Sequence, residues 1–408
     1  MLRHAHAMMD DEWLDRVQYR GAILVADSWT CCRNWWLANG NEEIAMTPKT
    51  ANAWQICEFP RKPFGALRLA SPKFRQWIGA LPKTGIQQRE IQVPALAANE
   101  VLLDVEAVSL NFRDYAVALG MYSPSQSLPL TPCSDATCTV IETGKDVTLW
   151  RPGDRIITHF ARDWLDGAGS AVLKSRTLGS PLSGVLQTQV VMGELGLVRA
   201  PESLTNVEAS TLTIAGLTAW SALTRVTKAE RGEVLLVQGS GGVSLYGILL
   251  GKELGLKVIV TTSSATKAER LRALGADQVV VTPHGEDWSA KVREANGDGV
   301  DIVLDFGGGS TLGSSIKAAR HGGRIACIGF LGGIAPRIPV GLLMVNGITV
   351  HGVITGSRAE LEELVSFIES RDIHPAIDEV FPFSDARAAF SKLASGRQFG
   401  NICISEIK

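Results

Sequence analysis

The stretch Val234-Leu-Leu-Val-Gln-Gly-Ser-Gly-Gly-Val-Ser244 has the clearest chemical consequence of any in this chain. Apolar residues run up to Gly239, as a buried parallel strand would. Gly239, Ser240, Gly241, Gly242 and Val243 then make a tight turn, and a helix-like run follows over 245–254. Glycine clusters are common, and an ordinary glycine-rich turn could look the same. A cluster between a strand and a helix, however, is the setting in which G-x-G-x-x-G binds a dinucleotide. The first glycine makes the turn and the second lets the backbone approach a pyrophosphate. The helix N-terminus attracts the negative charge. Ser244 stands where the third glycine would, and is small enough to pack against the strand.

The end of the next strand decides which dinucleotide is expected. An NAD-type site places Asp or Glu there, about twenty residues past the first glycine, on the ribose 2′-hydroxyl. This chain has Thr261, Thr262, Ser263 and Ser264, and then Lys267. The serines can donate hydroxyl hydrogen bonds, and the lysine brings a positive charge. NADP(H) is therefore the expected cofactor. The alternatives are plain N-capping by the serines and a solvated first-turn lysine.

Strands and helices alternate around this motif. Strands are read at 257–263, 278–282, 301–307, 324–329 and 348–354, with helices at 267–274, 287–295 and 311–319 between the first four. That alternation predicts an α/β fold with a doubly wound parallel sheet. The ligand is then expected at the carboxyl ends of the strands. Upstream the pattern changes. Residues 100–109 alternate as a half-buried strand, 137–142 and 155–159 read as two more, and Pro152-Gly153-Asp154 is a strong turn. The domain change falls near Pro201. After the sixth strand a helix over 359–370, a Phe381-Pro-Phe383 lead into another helix, and a last strand at 400–405 read as outside the parallel sheet.

Bulk properties exclude several classes. The chain has 408 residues, enough for two domains, and its net charge of −2 gives no electrostatic case for nucleic acid. Charges such as Lys252 and Glu253 break every long apolar run, so no membrane span is expected. Asp10, Asp11, Glu12 and Asp15 near the start argue against a secretory signal or transit peptide. Seven cysteines, an odd number, fit a reducing compartment, and a cytoplasmic location is expected. Adjacent Cys31 and Cys32 lack metal-ligand spacing, and His4 and His6 are too few for a metal site. Trp29, Trp35 and Trp36 lie in a segment without periodicity.

Taken together, these blocks resemble the medium-chain dehydrogenase/reductase superfamily. More narrowly they look like its zinc-independent branch of quinone-oxidoreductase-like, or zinc-type alcohol dehydrogenase-like, proteins. The matching pieces are Ser109-Leu-Asn-Phe-Arg-Asp114, Arg151-Pro-Gly-Asp-Arg155, Ala215-Gly-Leu-Thr-Ala-Trp220, Gln238-Gly-Ser-Gly-Gly-Val243, Leu271-Arg-Ala-Leu-Gly-Ala-Asp277 and Arg397-Gln-Phe-Gly400. The resemblance implies a Rossmann domain inserted in a GroES-like β-rich catalytic domain, with the active site in the cleft between them. Residues 1–50 would be an extension of unknown role, dispensable for cofactor binding. Residues 51–200 would be the catalytic domain, 201–356 the NADP-binding domain, and 357–408 the return to the catalytic domain. Residues near 70–88 read as an insertion. A homodimer joined through the sheet edge at 348–354 is also implied.

Zinc-dependent relatives use a Cys, a His-Glu pair and a further Cys or Asp. By the same resemblance those positions hold Asn111, Ser134-Asp135 and Ala215-Gly216 here, so no metal is expected. Cys133 and Cys138 alone are too few for a structural zinc lobe. Without a Lewis acid, substrates with built-in electron demand are easiest, such as quinones and α,β-unsaturated carbonyls. Asn111 and Thr218 would touch the nicotinamide and ribose, and Tyr122 could donate to a developing oxyanion. Arg113 and Asp114 either join the cleft or pair with each other. Gly329, Phe330 and Leu331 should lie near the nicotinamide, with Phe399 and Gly400 closing the pyrophosphate side. Alternatives are a trans-acting enoyl reductase of polyketide biosynthesis, and an NADPH-binding scaffold or sensor without turnover.

Overall fold

The computed structural model describes residues 49–59, 85–122, 126–169 and 175–408. The extension before residue 49, with its tryptophans and paired cysteines, lies outside the described residues. So does the insertion up to residue 84. Residues 86–88, read as its end, instead open a strand.

The N-terminal half is built from antiparallel ribbons. β1 (Thr50–Ile56) pairs with β2 (Ile86–Gln92). β3 (Glu100–Leu110) carries alternating apolar residues, and Val101, Leu103 and Val105 are buried. It pairs with β4 (Asp135–Thr143), which pairs with β5 (Arg155–Thr158). β6 (Gln189–Gly193) lies on the start of β3, and β7 (Leu197–Arg199) on β5.

The second half is a six-stranded parallel sheet. Its strands are β8 (Val234–Gln238), β9 (Lys257–Thr262), β10 (Gln278–Val281), β11 (Val300–Asp305), β12 (Ala319–Cys327) and β13 (Thr349–Gly352), in the order β10-β9-β8-β11-β12-β13. The central strands read as unbroken apolar runs because both faces are covered. Leu235, Val237, Val258, Val260, Ile302 and Leu304 face one core, while Leu236, Ile259 and Val303 face the other.

Helix Arg358–Arg371 starts at a capping box. Glu360 N donates to Ser357 Oγ (3.3 Å), and Ser357 N donates to Glu360 Oε2 (2.9 Å). Its Leu361, Leu364, Val365 and Ile368 share a core with Leu235 and Val237, and also with Ile157 of β5 and Val198 of β7. The two sheets therefore meet through continuous apolar packing. β14 (Ile377–Pro382) and β15 (Asn401–Ser405) run parallel, and β15 pairs antiparallel with β3. The completed seven-stranded sheet runs β14-β15-β3-β4-β5-β7, with β6 off β3. The fold class is the one the sequence implies.

Several elements differ from the sequence reading, three of them for identifiable reasons. β4 starts at Asp135, two residues early, because a buried carboxylate is satisfied there by side chains that sequence does not reveal. β12 starts at Ala319, which pairs with Val300 ahead of a register shift, so the glycines at 322–323 do not break the strand. β14 was not anticipated, because its Asp378 and Glu379 mask an edge strand.

Candidate functional site

The glycine turn is a cradle in which each residue has a separate task. Gly239 sits at φ +75°, in the left-handed region that favours glycine, and its N–H donates to Thr261 O (2.7 Å). Gly241 caps helix Gly242–Glu253 in an extended conformation, and a Cβ there would meet nothing within 4 Å. Its missing side chain leaves open space above the helix N-terminus, as a pyrophosphate requires. Gly242 is glycine for another reason, since a Cβ would stand 2.2 Å from Asn401 Oδ1. Val243 packs against the core. Ser244 Oγ donates to Gln238 O (2.7 Å), and Gly247 makes the close helix–strand approach, with Leu304 at 2.8 Å from a hypothetical Cβ. The third small residue of the motif is thus supplied one turn later.

The end of the chain closes this cradle from the side. Gly400, at φ +102°, donates its N–H to Ser240 O (2.9 Å). Lys267 Nζ donates to Ser240 Oγ (3.1 Å) and to Gln398 O (2.7 Å), tying helix Ala265–Ala273 to both the turn and the C-terminal segment. Phe399 is buried beneath Arg270. Ser263 is exposed. Ser264 Oγ lies 2.9 Å from Thr266 Oγ1 and makes no capping bond to the helix. No acidic side chain stands at the end of β9.

A polar corner surrounds Asp135 at the start of β4. Asn111 Nδ2 donates to Asp135 Oδ2 (2.9 Å), Ile214 N donates to the same oxygen (3.0 Å), and Ser134 Oγ donates to Oδ1 (2.9 Å). The Ile214 N–H points there from a wide π-type turn, Leu212–Gly216, just before Thr218. Burial first, and then the Asp114 carboxylate, push Asp135 up to about 8. Burial also pushes Asp114 up to about 6, against the pull of Arg113 and of the Asn111 N–H. Burial thus favours the protonated form of Asp135 over a wider pH range than for an ordinary carboxylate. Arg113 pairs with Asp114 (3.4 Å) and donates to Leu178 O (2.9 Å), its guanidinium lying against the rings of Tyr122 (5.1 Å) and Phe160 (4.7 Å).

Tyr122 is 44% exposed, and Thr218 is buried with its Oγ1 3.4 Å from Ile354 O. Gly329 passes so close to Phe306 O that a Cβ would lie 2.6 Å from it, and Leu331 N donates to the same carbonyl (3.1 Å). Phe330 meets Phe112 edge to face, with ring centroids 5.9 Å apart. The strand-end segment of the nucleotide half thus touches the helix that follows Asn111.

Comparison with known proteins agrees with this architecture. Residues 97–202 match the model of the alcohol dehydrogenase GroES-like domain, and 242–370 match that of the zinc-binding dehydrogenases. A zinc-type alcohol dehydrogenase-like protein of Schizosaccharomyces pombe is 32% identical over 327 residues, covering 78% of this chain and 94% of the relative. The chain belongs to the medium-chain dehydrogenase/reductase superfamily. A crystal structure of an alcohol dehydrogenase candidate from Sinorhizobium meliloti superposes with a TM-score of 0.77 at 36% identity, covering 88% of this chain and all of that one. A 2-methylene-furan-3-one reductase of Solanum lycopersicum is 27% identical, covering 78% of this chain and 75% of its own length. As a member of this superfamily the chain is an oxidoreductase.

The family description implies zinc, but the residues present do not fit it. Where the ligands would stand there are an amide, a hydroxyl and one carboxylate whose two oxygens already accept three hydrogen bonds. Zinc favours thiolate and imidazole, and His159, just after β5, faces Ala161 O (2.9 Å) and Gly356 O (3.1 Å). A dinucleotide does fit, since the space above Gly241 is open while that beside Gly242 is closed by Asn401. Sequence reasoning missed Asp135 as the anchor of Asn111. The only signal was an acid beside a serine at a ligand position.

The two adjacent glycines separate fold from binding. Gly241→Ala is expected to leave unfolding within about 0.5 kcal/mol and to weaken dinucleotide binding about tenfold or more, because the methyl fills only the cradle. Gly242→Ala should instead cost about 1–3 kcal/mol by displacing Asn401. Denaturant melts beside dinucleotide titrations read both, and a destabilised Gly241→Ala protein would contradict the open cradle.

Asp135 gives a pH signature. Its raised pKa means the folded chain holds a proton that the unfolded chain has lost. This contribution to stability is complete below the ordinary carboxylate range and is lost as pH rises through about 8. Asp135→Asn mimics the protonated acid, so the variant should lose less stability than the parent between mildly acidic and alkaline pH. Asp135→Ala leaves the Asn111 and Ile214 N–H groups unpaired, at about 1–3 kcal/mol each. Parallel pH slopes for parent and Asp135→Asn would contradict the assignment.

Proposed function

We propose that this chain is an NADP(H)-dependent reductase that passes hydride to a quinone or an α,β-unsaturated carbonyl without a metal. The observation that carries this reading is the pairing of an open nucleotide cradle with a corner whose single carboxylate is already committed. Bound NADPH would supply the hydride. Thr262, Ser263 and Ser264 in place of an acid at the end of β9 favour a 2′-phosphate, with Ser263, Ser264 and Lys267 on its side of the cradle. Gly239, Ser240, Gly241, Gly242 and Val243 hold the pyrophosphate, closed by Phe399 and Gly400. Gly329, Phe330 and Leu331 border the nicotinamide. Asn111, fixed by Asp135, and Thr218 position the reacting ring. Tyr122, exposed beside Arg113, donates to the oxygen that gains charge. The tomato relative's activity on an enone supports this substrate class.

Purified protein with substoichiometric zinc should oxidise NADPH with a panel of quinones and enones, and a chelator should leave the rate unchanged. Tyr122→Phe keeps the ring on Arg113 and should lower kcat by roughly 10²-fold with little change in NADPH affinity. Stoichiometric zinc, or tight NADPH binding with no turnover on any acceptor, would overturn the reading.

A homodimer is part of the same proposal. β13 is an edge strand, and beside it in sequence helix Val340–Val345 leaves Met344 72% and Val345 75% exposed. A second copy pairing edge to edge would cover them. Light scattering should give twice the chain mass, and a monomer at micromolar concentration would exclude it.

A further inference from the structure

Lys267 and Arg270 lie three residues apart on helix Ala265–Ala273, so they share one face. The C-terminal segment 397–400 runs along that face. Gln398 O accepts from Lys267 Nζ (2.7 Å), and the Arg270 guanidinium lies 3.8 Å over the centre of the Phe399 ring. Gly400 then binds the glycine turn through Ser240 O (2.9 Å). Three segments of the nucleotide cradle converge here.

The two cations are used differently. The Lys267 ammonium directs donors at Ser240 and at Gln398, both part of the scaffold around the turn. Arg270 is exposed, and among the described residues its guanidinium makes neither an ion pair nor a side-chain hydrogen bond. Stacking on a buried aromatic ring holds the planar fork in place while leaving its N–H edge available. Beside it, Gln398 Oε1 is a buried acceptor with no partner. A fixed guanidinium suits a phosphate monoester, which it can grip with two parallel hydrogen bonds. A lone buried acceptor suits a hydroxyl. A ribose bearing a 2′-phosphate presents both groups side by side.

We propose that Arg270, stacked on Phe399, binds the 2′-phosphate of the cofactor and sets the preference for NADPH, with Gln398 Oε1 accepting from the neighbouring ribose hydroxyl. Lys267 is then a positioning residue of the turn, serving both nucleotides alike. This deepens the NADP(H) reading above and rests on it.

The test is titration of the full chain with NADPH, NADH, 2′,5′-ADP and 5′-AMP. The parent should bind NADPH more tightly than NADH, and 2′,5′-ADP more tightly than 5′-AMP. Arg270→Gln should weaken NADPH and 2′,5′-ADP about ten- to a hundredfold, while NADH and 5′-AMP stay within about twofold. Lys267→Ala should weaken NADPH and NADH by similar factors. Phe399→Leu keeps an apolar core residue but removes the stacking face, and should lower NADPH affinity selectively and by less than Arg270→Gln. Equal losses for both nucleotides on Arg270→Gln, or none, would overturn the assignment. A selective loss on Lys267→Ala with Arg270→Gln silent would return the 2′-phosphate to the lysine. A parent that binds no dinucleotide, or prefers NADH, would overturn the cofactor reading itself, a result separable from failure of the variants.

Discussion

A single main-chain hydrogen bond, Gly400 N to Ser240 O, joins the end of the chain to the glycine turn. Much of the site depends on it. Gly400 precedes β15, which pairs with β3 in the seven-stranded sheet, while Ser240 ends the strand–turn unit of the parallel sheet. Gly400 must be glycine twice over, because its φ is +102° and a Cβ would stand 2.4 Å from Ala376 O. The next residue, Asn401, lies directly against Gly242 and donates to Ala376 O (3.2 Å). One wall of the nucleotide cradle is thus built from the other sheet. The turn and the C-terminal strand therefore share this wall, and a ligand in the cradle is coupled to both sheets.

The polar corner obeys a second constraint. Asp114 and Asp135 are both fully buried, the Asp114 charge raises Asp135 further, and a cation, Arg113, stands beside Asp114. Two buried carboxylates cannot both ionise cheaply, so one keeps its proton. Asp135 holds Asn111 and the Ile214 N–H in fixed directions. Arg113 in turn is fixed by the carbonyl of Leu178 and by two aromatic faces. A committed network of this kind orients an amide well and leaves little room for an ion.

Much of the fold was legible in the sequence. Val234–Gln238, Lys257–Thr262 and Val300–Asp305 read as continuous apolar runs because strands covered on both faces need no alternation. The glycine turn was legible because its glycines stand between an apolar strand and a helix-like run, although the demand on Gly242 comes from distant Asn401. The absence of an acid after β9 could be read from position alone. The edge strand β14, where polar residues are tolerated, is masked in the sequence, and the glycines at 322–323 hide the start of the internal strand β12.

What only the tertiary structure decided are contacts between residues far apart in the chain. No spacing rule could pair Lys267 with Gln398, Arg270 with Phe399, or Asn111 with Asp135, since loop length leaves such meetings open. Burial is also a property of the whole fold, so the raised pKa of Asp135 could not be read from its neighbours in sequence. Local backbone demands and apolar periodicity are written residue by residue and survive in a sequence read alone. Charge states and long-range hydrogen bonds arise only when packing removes water and brings distant segments together.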